Sequence, residues 1–158
     1  MPHPMTLLNK REFVGVATSD MSGQPNAAPK MVLDVDKEFI YLVDYTIGKT
    51  WENLKANPRI SLSFSDRDEL KGYQINGRVH ILENGDIPDA MIKKLDERKM
   101  NLSVERVISG VRQEKRHKFF EIEIDKRFVI YKVKVDTIIE IERQGELKRK
   151  SLPSTMKK

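Results

Sequence analysis

Gly48-Lys49-Thr50 opens the stretch of this chain best suited to chemistry. Trp51, Glu52, Asn53, Leu54, Lys55 and Ala56 follow, then Asn57-Pro58-Arg59 and the strand-like run Ile60-Ser61-Leu62-Ser63-Phe64. This pattern predicts a short helix over Lys49–Asn57, stopped by Asn57-Pro58, with a strand behind it. The first turn of a helix has free N–H groups and the positive end of the dipole, a setting that suits an anion and above all a phosphate. Lys49 would add a point charge and Thr50 a hydroxyl donor. The same two residues also suit an ordinary solvated first turn, so spacing alone leaves both readings open.

Other chemistries find little support. The chain has no cysteine, which excludes disulfides, thiolate nucleophiles and thiolate-held metals. The histidines, His3, His80 and His117, share no metal-ligand spacing, and no metal site is expected. Ser61 and Ser63 alternate in a strand without a His-Asp partner pattern, so a hydrolase triad is unsupported. Asn101-Leu102-Ser103 matches a glycosylation acceptor, and without a secretory signal it reads as chance.

The elements that must position Lys49 and Thr50 sit in a chain of 158 residues, 39% hydrophobic and 34% charged, enough for one domain with one core. Met1-Pro2-His3-Pro4-Met5 lacks the pattern of a signal peptide, and no apolar run reaches membrane-spanning length. A cytoplasmic protein that does not engage a membrane is expected. The net charge of +5 comes from the end of the chain, where Arg143, Lys148, Arg149, Lys150, Lys157 and Lys158 face Glu146 alone. A division follows: a domain over 1–142 and a basic tail over 143–158. The tail reads as a solvated terminus, and without interleaved aromatics it argues against nucleic acid.

The body is strand-rich. Phe13–Thr18, Pro25–Val35 and Phe39–Val43 read as an antiparallel meander joined by turns at Ser19–Gln24 and Asp36–Glu38. Strands are predicted over Arg59–Ser65 and Gly72–Leu82, with Gly77 marking a bulge or a close backbone approach. Ile87–Lys99 has helical spacing, and Leu102–Ile108 suggests a second short helix ending near Gly110. Phe119–Ile124, Phe128–Val135 and Thr137–Ile141 read as further strands. Six to eight antiparallel strands with short helices, mostly joined locally, point to a mainly β fold: a small, Greek-key-like, closed or partly closed barrel.

The residues at this point resemble a known family. Val14-Gly15-Val16-Ala17-Thr18 followed by Gly23-Gln24-Pro25-Asn26-Ala27-Ala28-Pro29-Lys30 is similar to the opening of the pyridoxamine 5'-phosphate oxidase-like, FMN-binding split-barrel family. Gly48-Lys49-Thr50 with Asn53-Leu54 and Asn57-Pro58-Arg59 resembles its phosphate-binding helix and next strand, and Tyr73–Val79 a later strand. The likeness spans about Phe13 to Leu82 and rests on order and spacing together.

The resemblance implies a split β-barrel homodimer with FMN at the subunit interface and a small-molecule substrate or electron donor. Position by position, Lys30 stands where the family often has a basic residue reaching the phosphate. Met31, Val32 and Leu33 would run along the flavin ring, meeting its edge through backbone groups. Lys49 and Thr50 would hold the phosphate, Asn53 faces the same way one turn later, and Gln74 would face the ring or the partner. Phe119–Ile124 is a candidate interface strand, and a core strand equally. The physics agrees: a phosphate near two negative charges suits lysines and helix-end amides, and the ring suits a flat shelf with polar groups at its edge.

The departures concern the reaction. The oxidase has an Arg-Lys pair at the helix start where this chain has Lys49-Thr50, and a Trp- and Arg-containing end that this chain lacks. Its one Trp, Trp51, lies in the helix itself. The expectation is therefore an FMN-dependent flavoprotein, an oxidoreductase of unassigned substrate with no acid or base residue identified. A non-catalytic flavin carrier, and a split barrel holding haem or a deazaflavin, stay open beside it.

Overall fold

Side chains along each strand alternate between an enclosed interior and an outer face, as a closed sheet requires. The computed structural model describes residues 3–112 and 127–153. The order is α1 (His3–Asn9), β1 (Phe13–Ser19), β2 (Pro25–Val35), β3 (Phe39–Asp44), α2 (Lys49–Ala56), β4 (Arg59–Asp66), β5 (Lys71–Leu82), a 3-10 turn, α3 (Asp89–Arg112), β6 (Val129–Ile141) and β7 (Leu147–Ser151).

The strands run antiparallel in the order β3-β2-β1-β4-β5-β6-β7, and β3 also pairs with β6. That last pairing closes six strands into a barrel and leaves β7 as an extension. The long strand β6 makes this possible: Val129–Lys134 pair with β3, Ile130–Ile141 with β5, and Thr137–Ile141 with β7.

The barrel interior is filled by Val14, Val16, Val32, Leu42, Leu62, Ile75 and Val133, all buried. Met5 and Leu8 of α1 and Leu54 of α2 join the same cluster. A second cluster lies on the outer face of β2, β3 and β6, where Leu95 of α3 covers Met31, Leu33, Tyr41, Val43 and Ile130. Burying each such side chain contributes about 1.5–3 kcal/mol.

The predicted barrel, meander and Lys49–Asn57 helix are present, and Gly77 marks both a close approach and a bulge, the bulged residue being Asp136 of the facing strand. The register of β5 on β6 shifts between Asn76 and Gly77, and a Cβ on Gly77 would lie 2.3 Å from the Lys134 carbonyl oxygen.

Several expectations are corrected. The two helices predicted after Ile87 are one, because the docked face of Met91, Leu95 and Leu102 runs through both. Phe128–Val135 and Thr137–Ile141 are one strand carried across a bulge at Asp136. His3–Asn9, given no element from sequence, is a helix because Met5 and Leu8 bury completely. Within the basic tail, Leu147–Ser151 forms β7, held to β6 by backbone pairing although every residue in it is exposed. The expected strand Phe119–Ile124 and His117 lie outside the described residues.

Candidate functional site

Helix α2 begins where its sequence says, and among the described residues no side chain caps its first turn. Gly48 is the N-cap and has no side chain to offer. The Glu52 amide bonds the Gly48 carbonyl at 3.0 Å, while the amides of Lys49, Thr50 and Trp51 have no acceptor among the described residues. The Lys49 ammonium is about half exposed, and its ion pair is a loose 3.7 Å contact with Glu52. Three N–H groups without an acceptor, the positive end of the helix and one half-exposed cation therefore meet at this turn.

The opposite face of α2 is fixed to the barrel end by polar contacts. Thr50 Oγ1 accepts from Asn26 Nδ2 at 3.2 Å, and Asn53 Nδ2 donates to Thr18 Oγ1 at 3.1 Å. One turn on, Asn57 Nδ2 donates to Ser19 Oγ at 3.2 Å. Thr50 and Asn53 are each 2% exposed. Their side chains hold the helix in place.

The loop into α2 is held just as firmly. Asp44 Oδ1 accepts from the Thr46 amide at 2.9 Å and from the Ile47 amide at 3.4 Å. Ile47 has φ +46, a conformation that branched side chains rarely adopt. It stays there because Asp44 holds its amide while its side chain packs on the barrel core. The turn so formed aims the chain into the uncapped end of α2.

Asp44 is in turn held from inside the barrel. Lys30 Nζ donates to Asp44 Oδ1 at 2.9 Å, and the Tyr131 hydroxyl donates to Asp44 Oδ2 at 2.5 Å. All three side chains are buried. Burial acts to raise the Asp44 carboxyl, but the Tyr131 hydroxyl, Lys30 and the Thr46 amide outweigh it and hold it below the usual carboxylate value. The Tyr131 hydroxyl is pushed well above the ordinary tyrosine value, by burial first and by Asp44 second.

The residues singled out by sequence thus divide. Lys30, Lys49, Thr50 and Asn53 gather at one end of the barrel, with Lys30 linked to α2 through Asp44. Val32 points into the core, and Met31 and Leu33 lie under α3. Backbone pairing engages Met31 and Val32 on both edges of β2, and Leu33 falls in the bulge between Val32 and Asp34. Gln74 lies on the outer face of β5 and donates to Asn76 Oδ1 at 3.1 Å.

Asp44, Asn26, Thr18 and Tyr131 were missed. Asp44 carried a signal, an Asp closing an apolar strand before a turn. The others carried none, because their partners are distant in sequence.

Small residues pave the adjoining outer face. Across β2, β1, β4 and β5 the register sets Ala27, Ala17, Ser61 and Asn76 in one row, and Pro29, Gly15, Ser63 and Gln74 in the next. The result is a flat exposed shelf with amide groups at one edge. It passes into an open cleft of about 390 Å³ at Ser61 and Asn76, bounded by Arg59, Arg78 and Asp136.

His3, Asp66 and Glu69 place ligand atoms within 4.8 Å of one another near the surface. Asp66 already caps the Asp68 amide, and Glu69 pairs with Lys71 at 3.5 Å, so local bonding accounts for them.

Comparison with known proteins agrees with this architecture. An uncharacterized protein of Methanocaldococcus jannaschii is 29% identical over 80 residues, covering 49% of this chain. Those residues cover 53% of that protein, so the match spans about half of this curated relative. The fold resembles that of a Clostridium acetobutylicum protein related to general stress protein 26, of the pyridoxinephosphate oxidase family. The TM-score is 0.61 at 18% identity, covering 93% of this chain and 90% of the other. It also resembles a pyridoxamine 5'-phosphate oxidase-related, FMN-binding protein of Nostoc punctiforme, with a TM-score of 0.54, 9% identity and coverage of 95% and 94%. An F420 reductase shares the fold with a TM-score of 0.56, 19% identity and coverage of 87% and 98%. Residues 3–139, nearly the whole barrel with the uncapped helix inside it, match the pyridoxamine 5'-phosphate oxidase family, and to that family the chain belongs.

Proposed function

We propose that this protein is an FMN-dependent redox protein, with the FMN phosphate at the first turn of α2 and the ring on the outer shelf. The observation that carries the reading is the uncapped first turn: three free amides beside the exposed Lys49. The residues present fit the group. A phosphate supplies the acceptors this turn lacks, and Lys49 offsets part of its charge. The shelf of Ala17, Ala27, Gly15 and Ser61 lets a flat ring approach the backbone, and Asn76 and Gln74 offer polar atoms at its edge.

FMN, when bound, supplies hydride or single-electron chemistry. The chain's part is binding and orientation. Asn53 and Thr50 fix the helix, and Asp44 aims the loop with Lys30 and Tyr131 behind it. None of Gly15, Ala17, Ala27, Pro29, Ser61 and Ser63 titrates near neutral pH, so no acid or base is assigned to the shelf. The shelf is open on one side, and a second copy of the chain would close it. A holoprotein of twice the 18.4 kDa chain mass by light scattering is the expected result, and a monomer mass would contradict the dimer.

Lys49→Ala tests the phosphate assignment. Loss of a charge-assisted bond at this exposed position should weaken FMN by about 1.5 kcal/mol. Riboflavin, which lacks the phosphate, should bind the variant as it binds the parent. Equal FMN affinity in parent and variant would remove Lys49 from the site.

A further inference from the structure

The outer face of β4, β5 and β6 carries a row of cations bordering the cleft into which the small-residue shelf passes. Arg59 on β4 lies directly opposite Arg78 on β5, and Arg78 lies directly opposite Lys134 on β6. In the next row His80 faces Lys132. Like charges set opposite one another across a sheet destabilise it, and a merely soluble surface would alternate their sign.

The counter-charges are incomplete. Asp136, the extra residue of the β6 bulge, stands 3.9 Å from Arg78 Nε, with both side chains more than half exposed. Lys134 pairs with the partly exposed Glu38. The Arg59 guanidinium has no carboxylate or carbonyl partner among the described residues. Four cations, Arg59, Arg78, Lys132 and Lys134, therefore meet two carboxylates.

The row is also hollow. Arg78 is shared by two open clefts: one of about 390 Å³ bounded by Arg59, Ser61 and Asn76, and one of about 310 Å³ lined by Phe39, His80, Lys132 and Lys134. Each is in the size range of small-molecule sites. The tight passage at Gly77 fixes the local register, and so sets Arg78 between its two cationic neighbours.

We propose that Arg59, Arg78 and Lys134 form a binding site for a small molecule bearing two linked phosphates, with Arg78 reaching both. Adjacent strands lie about 4.8 Å apart, so three cations in register match a diphosphate better than a single phosphate. Guanidinium groups suit the planar, two-point recognition of phosphate oxygens. This site borders the cleft at Ser61 and Asn76 into which the ring shelf passes, and its cations are not among the groups assigned to FMN.

Calorimetric titration of the purified protein with inorganic pyrophosphate at physiological ionic strength tests it. Pyrophosphate should bind saturably and more tightly than inorganic phosphate. Arg78→Gln should weaken it about tenfold or more. Arg78 is exposed, so the variant should fold, with a melting temperature equal to or above that of the parent at low salt. Absence of saturable binding overturns the proposal, as does binding lost in Lys49→Ala and kept in Arg78→Gln. Equal affinity for phosphate and pyrophosphate overturns the diphosphate assignment. A single-stranded oligonucleotide that binds more tightly than pyrophosphate, with steep salt dependence, overturns the small-molecule assignment.

Discussion

Lys30 and Asp44 form an ion pair inside the barrel, 2.9 Å apart, and neither side chain is more than 7% exposed. The pair joins the middle of β2 to the last residue of β3 and, through the Thr46 and Ile47 amides, to the loop that enters α2. A lysine that the family resemblance would aim at a phosphate is engaged by a carboxylate behind it. Its effect on the site passes through Asp44.

Lys30→Met should therefore act on the fold before it acts on the ligand. Removing one member of a buried pair costs about 3 kcal/mol, because the other charge loses its partner. Urea denaturation measures that loss. FMN and riboflavin should weaken together in this variant, whereas a direct phosphate contact would weaken FMN alone.

Acid should unfold the protein partly through Asp44. Its folded carboxyl lies below the 3.8 of an ordinary aspartate, so the folded state releases this proton more readily than the unfolded chain. The stabilisation is complete above the unfolded value and is lost as pH falls through the folded one. Urea midpoints taken down through this range should fall more steeply for the parent than for Asp44→Asn. Parallel curves would show that Asp44 is not depressed.

Asn53→Ala should loosen the seat of α2. The variant loses the bond to Thr18 Oγ1 in a buried seam and leaves that hydroxyl without its donor, at a cost of about 1–3 kcal/mol. Both FMN and riboflavin should bind less tightly, because the whole first turn shifts. An FMN-specific loss would instead make Asn53 a phosphate contact.

Gly77→Ala should be among the most damaging single changes on the sheet. The new Cβ would meet the Lys134 carbonyl at 2.3 Å, backbone that cannot rotate away. Strands β5 and β6 would have to part at the bulge, at about 1–3 kcal/mol or more. Thermal unfolding measures the loss, and a variant as stable as the parent would show that the bulge is free to relax.

The elements that turned on local pattern were legible in the sequence. Alternation marked β1 to β5 and both halves of β6, and Gly48 with Asn57-Pro58 bounded α2. What hid were features fixed by distant partners. β7 has no buried residue to mark it, and only pairing with β6 makes it a strand. The single α3 emerges from the outer faces of β2, β3 and β6 that it covers. At the site, Lys49 and the first turn could be read locally. The role of Lys30 could not, since it depends on Asp44 and Tyr131, and Tyr131 lies 87 residues beyond Asp44.

The central claim is that the uncapped turn of α2 holds the phosphate of FMN. Release of the bound ligand from protein purified after growth with ample riboflavin, followed by chromatography and mass measurement, tests it most directly. FMN is the expected ligand, with flavin absorption bands near roughly 370 and 450 nm in the intact protein. Recovery of FAD or a deazaflavin, or of no flavin even after incubation with excess FMN, would contradict it.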